Sequence, residues 1–489
     1  MNDGALTKIR KWIIRLAWVP LIFGVAGYHF AGDAVNGTMG FMESLYATIA
    51  LYFMNPDSDI SNIYVIAAKY TSFLVVADVM FAVFEALQHS LQHIISNRFQ
   101  DSTAVYTDNE DMRRAITDHF RHSYPGDTER HQYRLENAKD HIIMFEDDMK
   151  NLEIYKRCRE NLSGRNVYLM LNNTDPFLMK KTDDPNLHFF NIYEMMARKY
   201  WKDHDIYDKI IGSEEDVFRI AITDFGMAGE ALFRYGYMNN VYSSKQHIEY
   251  HIWGAEEYQK RTLEEINEKA REIEGCDDII LHEGRAIDAA LELREMSRII
   301  ISGLDDRALL QELLHIGVKG EIYYFSDRNV SIDEIYRKNV ISFGQIKSIL
   351  TKEYLKRDIL SRQGMLFNYD YILRSEGKNA PSDYEKEMRK AWAELDGFLK
   401  GSNLARADHY WIEKKLLDEG WADIKEICII EHNRWCRFHL INRWTYGEKK
   451  DKDNRTHPLL VSFDRLSKEE QDKDDIYDPE IKKEIEKLI

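Results

Sequence analysis

Apolar residues are spread very unevenly along this chain. Residues 12–31 (WIIRLAWVPLIFGVAGYHFA) carry one charge, Arg15, and twenty helical residues span about 30 Å, the thickness of a bilayer's hydrocarbon core. A second apolar run, residues 63–87, has the same reach but contains Lys69, Asp78 and Glu85. Between them, residues 40–55 are apolar and only about 24 Å long as a helix, which predicts a re-entrant or interfacial segment. The pattern therefore predicts a membrane α-helical module of two spans plus a re-entrant segment. A cleaved signal peptide is the alternative, and the first apolar run is too long for it.

Beyond a polar linker at residues 96–101 the pattern changes. Short β-rich runs alternate with helical stretches at 103–107, 142–145 and 167–171, then at 218–223, 248–253, 278–281, 298–301, 321–325 and 340–343. Strand-like runs separated by helices predict cytoplasmic α/β, Rossmann-like lobes with parallel sheets, and the two halves allow a duplication. From Asp383 onward the chain becomes aromatic and charged, with Trp392, Trp411, Trp421, Trp435 and Trp444 close together.

Charge and cysteine content narrow the function. Across 489 residues, 66 Lys+Arg stand against 83 Asp+Glu, net −17, which argues against sequence-independent nucleic-acid binding. Four cysteines without a CxxC pair exclude a disulfide scaffold and a zinc ribbon. Lys8, Arg10, Lys11 and Arg15 precede or open the first span, and residues 32–62 contain no Lys or Arg. The positive-inside rule then predicts an inner-membrane protein with both termini cytoplasmic.

Three residue sets are candidates for chemistry. On the membrane module, Tyr52, Asn55, Asp57 and Asp78 are candidate pore residues, because ionisable groups within a span usually face a water-filled path. After the run at 218–223, Gly226-x-x-Gly229 retains part of a turn that brings backbone amides to a pyrophosphate, and Glu256 is a candidate for a ribose hydroxyl. A lone GxxG serves close helix–strand packing equally well. In the C-terminal segment, Arg434, Tyr446 and His457 lie among clustered indoles, an arrangement suited to an aromatic, phosphate-bearing ligand. Asn403, Asp408 and Glu431 are candidate hydrogen-bonding partners for ribose or base. Core roles for Glu431, Trp435 and Trp444 are the alternative. No nucleophile–base–acid set and no HExxH occurs, so the chain reads as a non-enzyme.

Span, short apolar segment, span resembles the pore module of the potassium-channel superfamily. Residues 49–59 contain no glycine, so potassium selectivity is not supported. Leu171-Asn172-Asn173 with Pro176, Phe190-Asn191-Ile192-Tyr193-Glu194 and Asp224-Phe225-Gly226-Met227-Ala228-Gly229-Glu230-Ala231 resemble the RCK family, Rossmann-like lobes beneath two-helix pores. Glu431-His432-x-Arg434-Trp435, Trp444-x-Tyr446-Gly447, His457-Pro458-x-Leu460-Val461 and Lys473-Asp474 resemble the small, mainly α RyR domain. Together these resemblances imply a membrane module at 1–95, lobes at 96–210 and 211–382, and a RyR domain at 383–489. They also imply a homo-oligomer, tetrameric by resemblance, acting as a ligand-gated ion channel or pore-forming effector. Its ligand would be a cytosolic nucleotide or cyclic nucleotide. A nucleotide-activated antiphage effector that disrupts the membrane is the first rival, and a membrane-anchored scaffold or enzyme the second.

Overall fold

The computed structural model describes residues 18–53, 55, 58–96, 102–120, 122–126, 138–162, 164–176, 184, 186–213, 216–274, 277–327 and 340–489. The chain divides into two compact units, Met1–Phe99 and Gln100–Ile489.

In the first unit, α1 (Val19–Val25) runs into a π-helical turn, Ala26–Ala31, which ends at Gly32 with φ 53°. Helices α2 (Phe41–Tyr52) and α3 (Ile63–Ser96) follow. Their small core joins Tyr28, Ala47, Leu51, Ile60, Val65 and Ala68. Asn62 ties the unit together by donating to the carbonyls of Gly27 and Gly32, each at 2.8 Å. Trp18, Phe30, Met42 and Phe53 remain exposed.

No helix among the described residues is long and apolar enough to cross a membrane. This corrects the expected two spans with a re-entrant segment, and with them the inner-membrane placement. The first apolar run gives seven α-helical residues and a six-residue π turn among those described, well short of the roughly twenty a span needs. Lys69, Asp78 and Glu85 interrupt the apolar character of α3. Tyr52 ends α2, Asn55 is exposed just beyond it, and Asp78 lies in α3. Asp57 lies outside the described residues.

The second unit contains two parallel sheets. The first lobe comprises β1 (Thr103–Tyr106), β2 (Ser123–Pro125), β3 (Asp140–Ile143), β4 (Asn166–Met170) and β5 (Leu187–Phe190), in the order β2-β1-β3-β4-β5. The second comprises β6 (Phe218–Ile222), β7 (Ile248–Ile252), β8 (Asp278–Leu281), β9 (Arg298–Ile301), β10 (Glu321–Phe325) and β11 (Val340–Phe343). Its order is β11-β10-β9-β6-β7-β8. Counted within each lobe, these are 2-1-3-4-5 and 3-2-1-4-5-6, the two common doubly wound orders. The lobes therefore differ in topology and are not copies of one design. Their strands are mostly apolar, as expected of strands covered by helices on both sides.

Helix α4 (Ile192–Asp203) joins the lobes by packing on α5 (Met227–Asn239). The contact is close because Gly236 has no side chain: a Cβ there would lie 2.6 Å from the Trp201 ring. The Trp201 indole N–H donates to the Leu232 carbonyl at 2.9 Å. Helix α6 (Glu257–Ile273) follows β7. A C-terminal helical body follows the sheets, with α7 (Asp358–Glu376), α8 (Gly397–Asp418), α9 (Ile424–Ile441) and α10 (Pro479–Glu486). Its core includes Leu366, Phe367, Met388, Tyr410, Ile481 and Ile485, so α7 belongs with this body.

Candidate functional site

In the second lobe the strand order reverses between β6 and β9, so the carboxyl ends of these strands flank the crevice where doubly wound folds hold ligands. The turn there is Asp224-Phe225-Gly226. Ser302 locks it from β9, its hydroxyl donating to the Asp224 carbonyl at 2.7 Å and accepting from the Asp224 N–H at 3.1 Å. A Cβ on Gly229 would lie 1.8 Å from the Asp224 carbonyl oxygen, so this glycine is needed for close helix–strand approach. The Gly226 N–H at the start of α5 donates to the Asp224 carboxylate at 2.8 Å. A negative side chain thus occupies the position a pyrophosphate takes in the glycine-turn scheme. Glu256 is the N-cap of α6, and its N–H donates to the Gln259 side chain at 2.9 Å.

Positive charge gathers instead at the seam with the C-terminal body. Two adjoining shallow clefts share Thr262, Ile266 and Arg443. Phe225, Phe233 and Tyr258 give the first cleft an aromatic lining, with Glu230 and Gln259 as polar groups. Glu265, Lys269 and Trp444 line the second. Arg234 donates to the Ile441 carbonyl at 3.1 Å and to the Asn442 side chain at 3.3 Å. Arg455 donates to the Asn442 carbonyl at 2.7 Å. Arg443, held at φ 64°, is exposed. The Arg234 and Arg455 guanidiniums thus both engage the carboxyl end of α9, whose dipole carries only about half a negative charge, and Arg443 follows directly after it. With Arg234, Arg443 and Lys269 against Glu230 and Glu265, the cleft linings carry one net positive charge, with aromatic faces beside them.

α9 is fixed to the second lobe by buried charge. Arg437 donates to both oxygens of Glu274, at 2.7 and 3.0 Å, and to Asp277 and the Tyr237 carbonyl, each at 2.9 Å. Burial pushes the carboxyl pKa values of Glu274 and Asp277 up, and Arg437 opposes that shift. Breaking such a pair would leave a buried charge uncompensated. Further bonds run from His409 to the Val241 carbonyl at 2.8 Å and from Arg198 on α4 to Asp408 at 2.6 Å.

The C-terminal candidates divide into two groups. Glu431 and Arg434 form a bidentate pair at 2.6 and 2.8 Å, both almost wholly buried. Asn403 donates to the Leu399 carbonyl of its own helix, and Asp408 pairs with Arg198. Protein groups engage these four. Of the other four, Trp435, Trp444 and His457 come together as an aromatic cluster. A two-residue ribbon of β12 (Thr445–Tyr446) and β13 (Thr456–His457) sets Tyr446 opposite His457. The His457 ring meets Trp435 edge-on at 5.0 Å, and Trp444 stacks on Phe398 at 5.0 Å. Tyr446 is exposed, and Trp444 also lines the second cleft. Burial lowers His439 to about 3, and burial with nearby Lys450 lowers His457 to about 4. Burial, reinforced by Glu431, holds the Asp474 carboxyl up at about 8.

Residues 417–487 match the RyR domain family. The match takes in α9, the ribbon and α10. Among solved structures, the chain is similar to GsuK in its crystal structure bound to ADP, with TM-score 0.35 and 12% identity. That alignment covers 73% of this chain and 99% of the other, and a likeness so distant speaks to neither ligand nor activity. No curated protein matches the sequence.

Sequence reasoning placed one candidate set in the second lobe and another in the RyR domain, and the clefts lie between them. It missed Arg234, Tyr258 and Lys269, which sit on ordinary amphipathic helices. Arg443 directly precedes the RyR motif Trp444-x-Tyr446-Gly447, which is the only local signal it carries.

Proposed function

We propose that the chain is a ligand-responsive regulatory protein that binds a nucleotide-class ligand, cyclic nucleotides included, in the seam between its second Rossmann-like lobe and its RyR domain. The observation that carries this reading is the cleft in which Arg234 and Arg443 stand beside Phe225, Phe233 and Tyr258 at the end of α9. Guanidinium grips phosphate while an aromatic face stacks on a base. A ligand touching both modules shifts any equilibrium between arrangements it contacts differently. The reading is of a binding protein and not an enzyme, and it expects a homo-oligomer whose assembly responds to the ligand.

The test is calorimetric titration of the full chain with ADP, NAD+ and a panel of cyclic mono- and dinucleotides, each repeated on Arg443→Ala. Saturable binding weakened at least tenfold by the substitution supports the seam. Binding indifferent to Arg443→Ala moves the ligand elsewhere, and turnover of any nucleotide ends the non-enzyme reading.

A further inference from the structure

The longest helix of the first unit leaves a regular apolar stripe bare. α3 packs on its own unit through Val65, Ala68 and Ser72, all buried, and the Ser72 hydroxyl donates to the Leu51 carbonyl at 3.3 Å. A different set, Ile63, Ile66, Tyr70, Phe73, Ala77 and Met80, recurs at alternating spacings of three and four residues. That is the a/d spacing of a coiled coil, and in its letters the buried face falls at c and f. The five large side chains of this seam are 45 to 76% exposed.

The sequence carries the same spacing onward through Phe84, Leu87, Leu91 and Ile94. All ten seam positions are apolar or aromatic, while Lys69, Asp78 and Glu85 fall at g, b and b, off the seam. Lipid meets every bare face of a helix alike and needs no such sorting. A second helix of matching pitch meets a and d alone.

Area points the same way. Taking about 200 Å² for each large side chain, the five seam residues with Leu74 at e leave about 750 Å² bare. Each partner of a stable complex buries about 800 Å², and a monomer seldom bares an apolar patch beyond about 600 Å².

We propose that this stripe docks on the same stripe of a second copy of the chain, the two α3 helices winding into a left-handed coiled coil. A seam of heptad spacing is complementary to itself, so one surface serves both partners. The inference rests on the homo-oligomer expected above and names the surface that forms it; the nucleotide seam plays no part in it.

The test is sedimentation equilibrium of the purified full chain at micromolar concentration, with helicity followed by circular dichroism. At least two copies per particle are expected. Tyr70→Glu combined with Phe73→Glu buries unpaired charge in the seam and should weaken association at least 100-fold with helicity kept. Tyr64→Glu, at an off-seam b position, should change it less than threefold. If the paired charges unfold the unit, Tyr70→Ala with Phe73→Ala carries the same test at tenfold. A single-chain mass ends the homo-oligomer and this surface with it. An oligomer indifferent to the seam substitutions, or equally sensitive to Tyr64→Glu, overturns the surface alone. A single chain that co-sediments with phosphatidylcholine vesicles gives the stripe to lipid and overturns the pairing.

Discussion

The two α/β lobes solve the same packing problem and end with opposite surfaces. In the first lobe, the helices after β1, β3 and β5 start at Asn109, Asp147 and Asn191, whose side chains accept the first free helical amides. Those helix ends are closed by their own residues. In the second lobe, the helix after β6 starts at Gly226, whose N–H is taken by the Asp224 side chain, and the seam beside it is lined by charged and aromatic side chains from two modules. Both sheets are parallel and both lobes cap their helices with side chains, so neither feature separates the two. The neighbour packed against the second lobe does.

The largest expected effect tests whether the second lobe depends on that neighbour. Arg437→Met should cost about 3–5 kcal/mol in chemical denaturation, because Glu274 and Asp277 would stay buried without their cation. A cost under about 1 kcal/mol would mean the RyR domain is not fixed there. In the first lobe, the buried Asn151 side chain accepts the Phe145 N–H at 2.9 Å and donates to the Phe145 and Met170 carbonyls at 2.8 and 2.9 Å. Asn151→Ala should cost about 2–3 kcal/mol by leaving those groups unpaired, with ligand affinity unchanged. Altered nucleotide affinity in that variant would break the contrast between a closed and an open lobe.

Arg443→Ala should do the reverse. Stability should hold within about 0.5 kcal/mol, as for an exposed side chain, while nucleotide affinity falls at least tenfold, about 1.4 kcal/mol. The smallest effect is a pH slope. The Asp474 carboxyl titrates near 8 when folded, well above an ordinary carboxyl, so the native state binds the extra proton. Its contribution is full below about pH 4 and is lost as pH rises through about 8. Between pH 7 and 8 stability should therefore fall by about 1 kcal/mol, and Asp474→Asn should flatten that slope. The lowered His439 and His457 act with the opposite sign and lose their contribution as pH falls below about 6.5, outside this window.

Much of the α/β body was legible in the chain. The runs predicted at 278–281, 298–301, 321–325 and 340–343 coincide with β8 to β11, because strands covered on both faces read as short, mostly apolar runs. The RyR motif was equally legible, since its Trp, Tyr and His positions are fixed by a local ribbon and one helix. The N-terminal expectation is not met among the described residues, where no helix is long and apolar enough to cross a membrane. Apolar content over a window counts residues and ignores where the charges fall, and Lys69, Asp78 and Glu85 fall inside the second run.

The chain by itself determined which segments become strands and helices, because period and turn chemistry act over a few residues. Only the tertiary structure decided which side chains became neighbours. Strand pairing of His251 with Ile280 brings His282 beside a residue 31 positions earlier. Packing of α9 on α5 brings Arg234 to the end of α9, where Arg455 also binds. Such contacts depend on sheet order and helix docking, and those are set by the summed burial of the whole core, which no short window of sequence contains.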